Sequence, residues 1–197
     1  MERARASAVT FALLLGGVLL AQTPEPTWLD RPLSNWNVPA RALPAAKPAD
    51  ESIAELSARC SYTPLLRTTA GERALVEAGW VPFRMFDRQI VQRDVEIIGG
   101  LAGADGMCRP MDFNVFVFVK ERFAGTLSPQ VMESRSDGSI GGAIRLAEDD
   151  RMSAGFARYT DKDALCCPSS HVTVRYRLDR QAMPPVVVPV SIRVTRP

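Results

Sequence analysis

The chain predicts an α+β domain, a small antiparallel β-sheet carrying one or two N-terminal helices and stapled by disulfides. Three observations lead there. From residue 81 on, short β-branched and aromatic segments alternate with Gly, Asp and Pro turns. Two capped helical stretches precede them. Four cysteines, Cys60, Cys108, Cys166 and Cys167, all follow an N-terminal segment of export type.

That segment reads MERARAS and then AVTFALLLGGVLLA, a basic start carrying Arg3 and Arg5 followed by an apolar stretch too short to span a bilayer comfortably. Residues 1–21 read as a secretory signal cleaved after Ala21, with retention as an anchor the competing reading. A lipoprotein signal needs a cysteine after Leu19-Leu20-Ala21. Gln22 stands there, so no acyl chain is expected and the exported chain is predicted to be free of a lipid anchor.

Residues 22–50 form a proline-rich, extended leader, because proline restricts its own φ and the residue before it. Trp28 and Trp36 are unusual in a linker, and either can pack back onto the domain. Residues 51–180 are the domain and 181–197 a Pro/Val-rich tail suited to an edge strand or an arm.

Within the domain, Asp50 or Ser52 caps a short helix bearing Ile53, Leu56 and Ala58 and ending near Cys60. In TAGERALVEAGWVP, Thr69 and Glu72 make a capping box, Gly79 is the C′ residue and Pro82 blocks continuation. The strand segments are VPFRMF, DVEIIGGL, FNVFVFVK, RFAGTLS, GAIRLAE, MSAGFARYT and HVTVRYRL. Val115-Phe116-Val117-Phe118-Val119 is apolar at every position, which predicts a central strand covered on both faces. HVTVRYRL puts Val172, Val174, Tyr176 and Leu178 on one face and His171, Thr173, Arg175 and Arg177 on the other. SRSDGS (134–139) and EDDR (148–151) read as turns, and GGLAGADG (99–106) as a turn or bulge between strands.

Composition is 46% hydrophobic and 23% charged, enough for a real core. With a net charge of +2 and the basic residues spread along the sequence, no strongly basic face, nucleic-acid footprint or other polyanionic partner is implied.

An even cysteine count in an oxidising compartment predicts two disulfides. A bridge between adjacent Cys166 and Cys167 would close a small, distorted ring. Each is therefore expected to reach a distant partner, one taking Cys60 and the other Cys108, with the assignment open. Neighbouring strand residues pointing to opposite faces would suit such divergent bridges.

Catalytic and cofactor motifs are absent: no HExxH, no GxSxG, no P-loop, and one histidine. No catalytic residue, cofactor or metal is assigned. The sharpest metal alternative gathers Cys108, Cys166, Cys167 and His171 around zinc, although CC-x3-H is not a common zinc spacing. A redox dithiol would call for a C-x-x-C spacing that is missing. Asp149-Asp150 and Asp161/Asp163 lack a calcium-loop pattern and read as turn residues.

GMCRPMDFNVFVFV, RFAGTLSPQVMESRSDGS and DALCCPSSHVTVRY resemble motifs of the LppP/LprE-like family of exported bacterial (lipo)proteins, as do NWNVP and AGERALVEAGW. The resemblance runs from about residue 35 to 178. It implies an envelope or secreted domain and carries over no catalytic residues. Its mycobacterial members are lipid-anchored, and this chain departs from them at Gln22.

The primary expectation is a secreted or envelope-associated, non-enzymatic domain, with an envelope protein as candidate partner and membrane contact only if the signal segment is retained. The alternative is an extracytoplasmic module binding a small ligand or a protein strand. It would use a face around Arg135, Arg145, Arg158, Arg175 and Arg177, or the valine-rich tail by strand addition. An enzyme or metal protein on Cys108, Cys166, Cys167 and His171 is the third reading.

Overall fold

A computed structural model describes residues 26–48, 51–61, 69–83 and 90–195. The signal segment 1–21 and Asp50 lie outside them. Both helices begin at reciprocal caps. In α1 (Ile53–Cys60) the Ser52 hydroxyl accepts from Glu55 N–H at 3.2 Å, and the Glu55 carboxylate accepts from Ser52 N–H at 2.9 Å. Thr69 and Glu72 do the same for α2 (Ala70–Glu77). Gly79, at φ 87°, then turns the chain so that Trp80 N–H returns to Leu75 C=O at 2.9 Å.

The strands form two antiparallel sheets, not the single sheet expected. The first holds β1 (Val81–Phe83), β2 (Ile90–Gln92), β3 (Val95–Ala104), β4 (Pro110–Val119) and β5 (Arg122–Thr126). Here β1 and β2 lie end to end along one edge of β3, and β4 runs between β3 and β5. The second is a meander of β6 (Ile140–Leu146), β7 (Arg151–Arg158), β8 (Ser170–Asp179) and β9 (Val186–Thr195). The segment 127–139 carries the chain between layers, pinned where Phe113 and Met132 exchange backbone hydrogen bonds at 2.9 and 2.7 Å. The physical reason for two layers is that each strand set has its own apolar face, and face-to-face packing buries both at once.

The shared core sets Val95, Ile97, Leu101, Phe113, Val115 and Val117 against Met152, Phe156, Val172, Val174, Tyr176 and Leu178. On the other side of the first sheet, Ile98, Phe116 and Phe118 pack under Leu75 of α2 and Trp80, with Leu43 and Ala46 of the leader beside them. That double cover explains the unbroken apolar run in β4. The tail is β9, an edge strand, as its prolines predict.

Two expectations need correction. The glycines of GGLAGADG lie mostly inside β3, not in a turn, and only Asp105–Cys108 turns. At Gly100 a Cβ would stand 2.8 Å from the Phe116 ring, so a bare backbone is what lets the aromatic layer close over the strand. The leader is extended, but it is a structural part of the domain. Trp28 is buried edge-on against Phe156, with ring centroids 5.0 Å apart, and Trp36 stacks edge-on to Trp28 at 5.4 Å. Buried Asn37 donates to Thr126 C=O in the first sheet and Val187 C=O in the second, both at 3.0 Å, and accepts from Thr126 N–H at 2.9 Å. Gly125, at φ 139°, leaves the room this requires, since a Cβ there would sit 2.4 Å from Asn37 Cγ.

Candidate anion-binding face

The inner face of each sheet enters the core, which also takes Leu56 of α1, and α2 with Leu43 and Ala46 of the leader covers the outer face of the first sheet. The outer face of the second sheet is the one left to solvent, and arginines occupy it. Strand alternation decides this: Met152, Ala154 and Phe156 of β7 and Val172, Val174 and Tyr176 of β8 are buried, so the residues between them point out. Register then aligns Arg145, Ser153, Arg175 and Ser191 in one row across β6 to β9. The next rows hold Arg151 with Arg177 and Thr173 with Arg193. Arg145, Arg151, Arg175, Arg177 and Arg193 are all exposed.

With strands ~4.8 Å apart, the row from Arg145 to Arg175 spans about 10 Å. Arg193 lies diagonally from Arg175 at ~7–8 Å, within reach of long side chains. Ser153, Thr173 and Ser191 place hydroxyl-bearing residues among the cations. The floor is low: Gly142 crosses so closely over Gly155 that a Cβ on Gly155 would stand 2.9 Å from Gly142 Cα. Arg151 and Arg177 face each other directly, a like-charge pairing that is destabilising by itself. Asp149 relieves it at 2.5 Å from Arg151, and Asp179, at 3.8 Å, helps with Arg177. Among the described residues, Arg145, Arg175 and Arg193 have no carboxylate within ion-pair distance. Basic residues scattered in the sequence thus converge in space, contrary to the expectation from net charge.

Of the arginines that the sequence suggested, Arg145, Arg175 and Arg177 are on this face. Arg158 is not, because its parity along β7 matches Phe156; it pairs with Asp30 at 2.7 Å and Asp137 at 2.9 Å and ties the leader down. Arg135 sits exposed in the 134–139 turn. Arg151 and Arg193 were missed, and only pairing β7 and β9 against HVTVRYRL could have found them.

The expected cross-bridges do not form. Cys60 is bonded to Cys108, joining α1 to the β3–β4 turn, and Cys166 is bonded to Cys167. Cys166 and Cys167 lie in the loop before β8, not on a strand, so the alternation that would send them apart does not apply. That loop belongs to the other sheet from Cys108, and Cys167 N–H closes it onto Ala164 C=O at 2.8 Å. The zinc grouping of Cys108, Cys166, Cys167 and His171 is therefore not assembled. His171 is exposed at the start of β8.

The matching strands are now placed. Residues 95–181 match the LppP/LprE lipoprotein family. The LppP/LprE match begins with β3 and ends just after β8, so it takes in the VFVFV strand, LCCPS and four arginines of the face, Arg145, Arg151, Arg175 and Arg177. The leader, α1 and α2 lie outside the matched span, as does Arg193 of β9. No curated protein and no solved structure matches the chain.

Two other features compete with the face. A cleft of about 150 Å³ lies between the leader and the first sheet, lined by Trp36, Arg41, Trp80, Asn114, Phe123 and Gln130. Small-molecule sites generally run to ~300–1,000 Å³. Two of the cleft's polar side chains are also engaged: Asn114 donates to Ser128 and Gln130 C=O at 3.2 and 3.0 Å, and the Trp80 indole donates to Pro44 C=O at 2.8 Å. The second feature is a set of carboxylates held by ion pairs and hydrogen bonds. Arg180 grips Asp94 and Asp150 at 2.7 and 2.5 Å, which keeps both carboxyls below their ordinary range. Asp163 is held at about 2 by the Ser169 hydroxyl and the Thr160 and Ser169 amides, and Asp105 at about 2 by Arg109.

Proposed function

We propose that this protein is a non-enzymatic domain of the cell envelope whose open arginine face binds an anionic partner. One observation carries the reading: Arg145, Arg175 and Arg193 stand exposed on one sheet face, with no carboxylate partner among the described residues. Like charges gathered this way oppose the compact state, and a bound anion removes that penalty. The lipoprotein-family match supports an envelope-associated protein. The apolar N-terminal segment agrees with export, and Gln22 after Leu19-Leu20-Ala21 favours a chain without an acyl anchor. The non-enzymatic reading draws on the sequence, which carries no HExxH, GxSxG or P-loop motif and one histidine.

The test is calorimetric titration of the full chain with inorganic tripolyphosphate at low salt. Wild type is expected to bind, and the Arg145→Gln, Arg175→Gln, Arg193→Gln triple variant to bind at least about tenfold more weakly. Equal affinity, or no heat of binding by wild type, refutes the reading.

A further inference from the structure

Building on the anion-binding reading, we infer that the partner is the anionic phospholipid headgroup layer of a membrane, on which the second sheet lies flat. The arginine layout favours a planar array of phosphates over one small anion. Arg145, Arg151, Arg175, Arg177 and Arg193 spread over four strands on a floor that includes Gly155, Ser153, Thr173 and Ser191, so no wall closes around a single ligand. From the Arg151–Arg177 row to the Thr173–Arg193 row the face runs four residues along β8, ~13 Å, by about 15 Å across the strands.

Exposed apolar side chains flank the same sheet. Leu165 is 66% exposed in the β7–β8 loop at one end, and Met183 is 85% exposed in the β8–β9 connection at the other. Val190, half exposed, bulges from β9 between Pro189 and Ser191. Cations over a flat area with apolar groups at its ends and edge suit a bilayer interface: the arginines meet phosphates while Leu165, Met183 and Val190 enter the headgroup boundary. A soluble polyphosphate would use the cations but leave the apolar rim in water.

The experiment is sedimentation of the full chain with vesicles of phosphatidylglycerol and, separately, of phosphatidylcholine. The readout is the ratio of the two partition coefficients, which discounts insertion of the apolar N-terminal segment because that acts in both lipids. Each arginine near an anionic surface contributes about fivefold in partitioning. The ratio for wild type should therefore exceed that of the Arg145→Gln, Arg175→Gln, Arg193→Gln variant by about a hundredfold. It should also collapse toward one at high salt, where the screening length falls to ~3 Å. The salt series tests the inference in wild type even if the variant folds poorly. No preference for phosphatidylglycerol alongside intact tripolyphosphate binding overturns the membrane inference and leaves the anion-binding reading standing. Loss of both overturns both. A preference that the triple variant retains in full also overturns the inference, because charges other than these three arginines would then carry it.

Discussion

Replacing Asn37 with alanine tests whether the leader is part of the fold. Its amide joins three backbone groups at 2.9–3.0 Å: Thr126 N–H and C=O in the first sheet, and Val187 C=O in the second. The Thr126 carbonyl keeps a donor, because the Trp36 indole reaches it at 3.1 Å. Thr126 N–H is orphaned, and Val187 C=O loses a bond. Leaving a buried N–H unpaired costs about 1–3 kcal/mol, and the second lost bond adds about 1 kcal/mol. The expected destabilisation is about 3 kcal/mol, a large share of the ~5–15 kcal/mol that holds a typical domain. In thermal melts of a chain this size it would appear as a drop of about 6–12 °C. Urea unfolding should show a lower midpoint with an unchanged slope. Exposed Ser34→Ala is the control and should stay within about 0.5 kcal/mol. A loss below about 0.5 kcal/mol for Asn37→Ala would mean that the leader does not lock the sheets together, and the argument from these three bonds would fail.

The Arg180 clasp spans both sheets, and Arg180→Met leaves Asp94 and Asp150 facing each other. We expect a loss of about 1–2 kcal/mol at neutral pH, read by urea unfolding. Both carboxyls sit lower folded than unfolded, so the clasp contributes fully above the ordinary carboxylate value and fades as pH falls through the folded ones; the gap between wild type and variant should narrow in acid. Asp163 pins the β7–β8 loop with a carboxyl at about 2 against an ordinary 3.8. The Ser169 amide resonance should accordingly titrate near pH 2, and a midpoint near 4 would contradict the pinning. Stepwise reduction with thiol alkylation should label exposed Cys166 and Cys167 before half-buried Cys60 and Cys108, because exposure governs access to the attacking thiol. Opening the Cys60–Cys108 loop, which spans 48 residues, should then cost about 4 kcal/mol in the chain-entropy account.

Much of the fold was legible locally. Thr69 with Glu72 starts a helix where its capping box says it should, Ser52, one of the two expected caps, starts the other, and the apolar run in β4 foretold cover on both faces. The division into two sheets was not legible, because alternation tells that a face is buried but not against what. Trp28 and Trp36 hinted at a docked leader; the Asn37 bridge depends on β5 and β9 arriving on either side of it, which no local pattern records. The arginine face shows the same limit. Arg175 and Arg177 follow from alternation in HVTVRYRL, whereas the parity of Arg158 with Phe156, which puts it off the face, was a signal that the sequence reading did not use. Arg151 and Arg193 join only through inter-strand register. For the cysteines, the expectation failed because it put Cys166 and Cys167 on a strand, whereas Pro168 and the Asp163 turn hold them in the preceding loop.

The central claim is that the outer face of the second sheet is where an anion lands. Amide and arginine side-chain NMR shifts of the full chain, followed while tripolyphosphate is added, test it most directly. The account predicts that Arg145, Ser153, Thr173, Arg175, Ser191 and Arg193 move together along one binding curve while Arg41, Trp80 and Phe123 stay still. Shifts centred on the cleft beneath the leader, or none on β6 to β9, would contradict it.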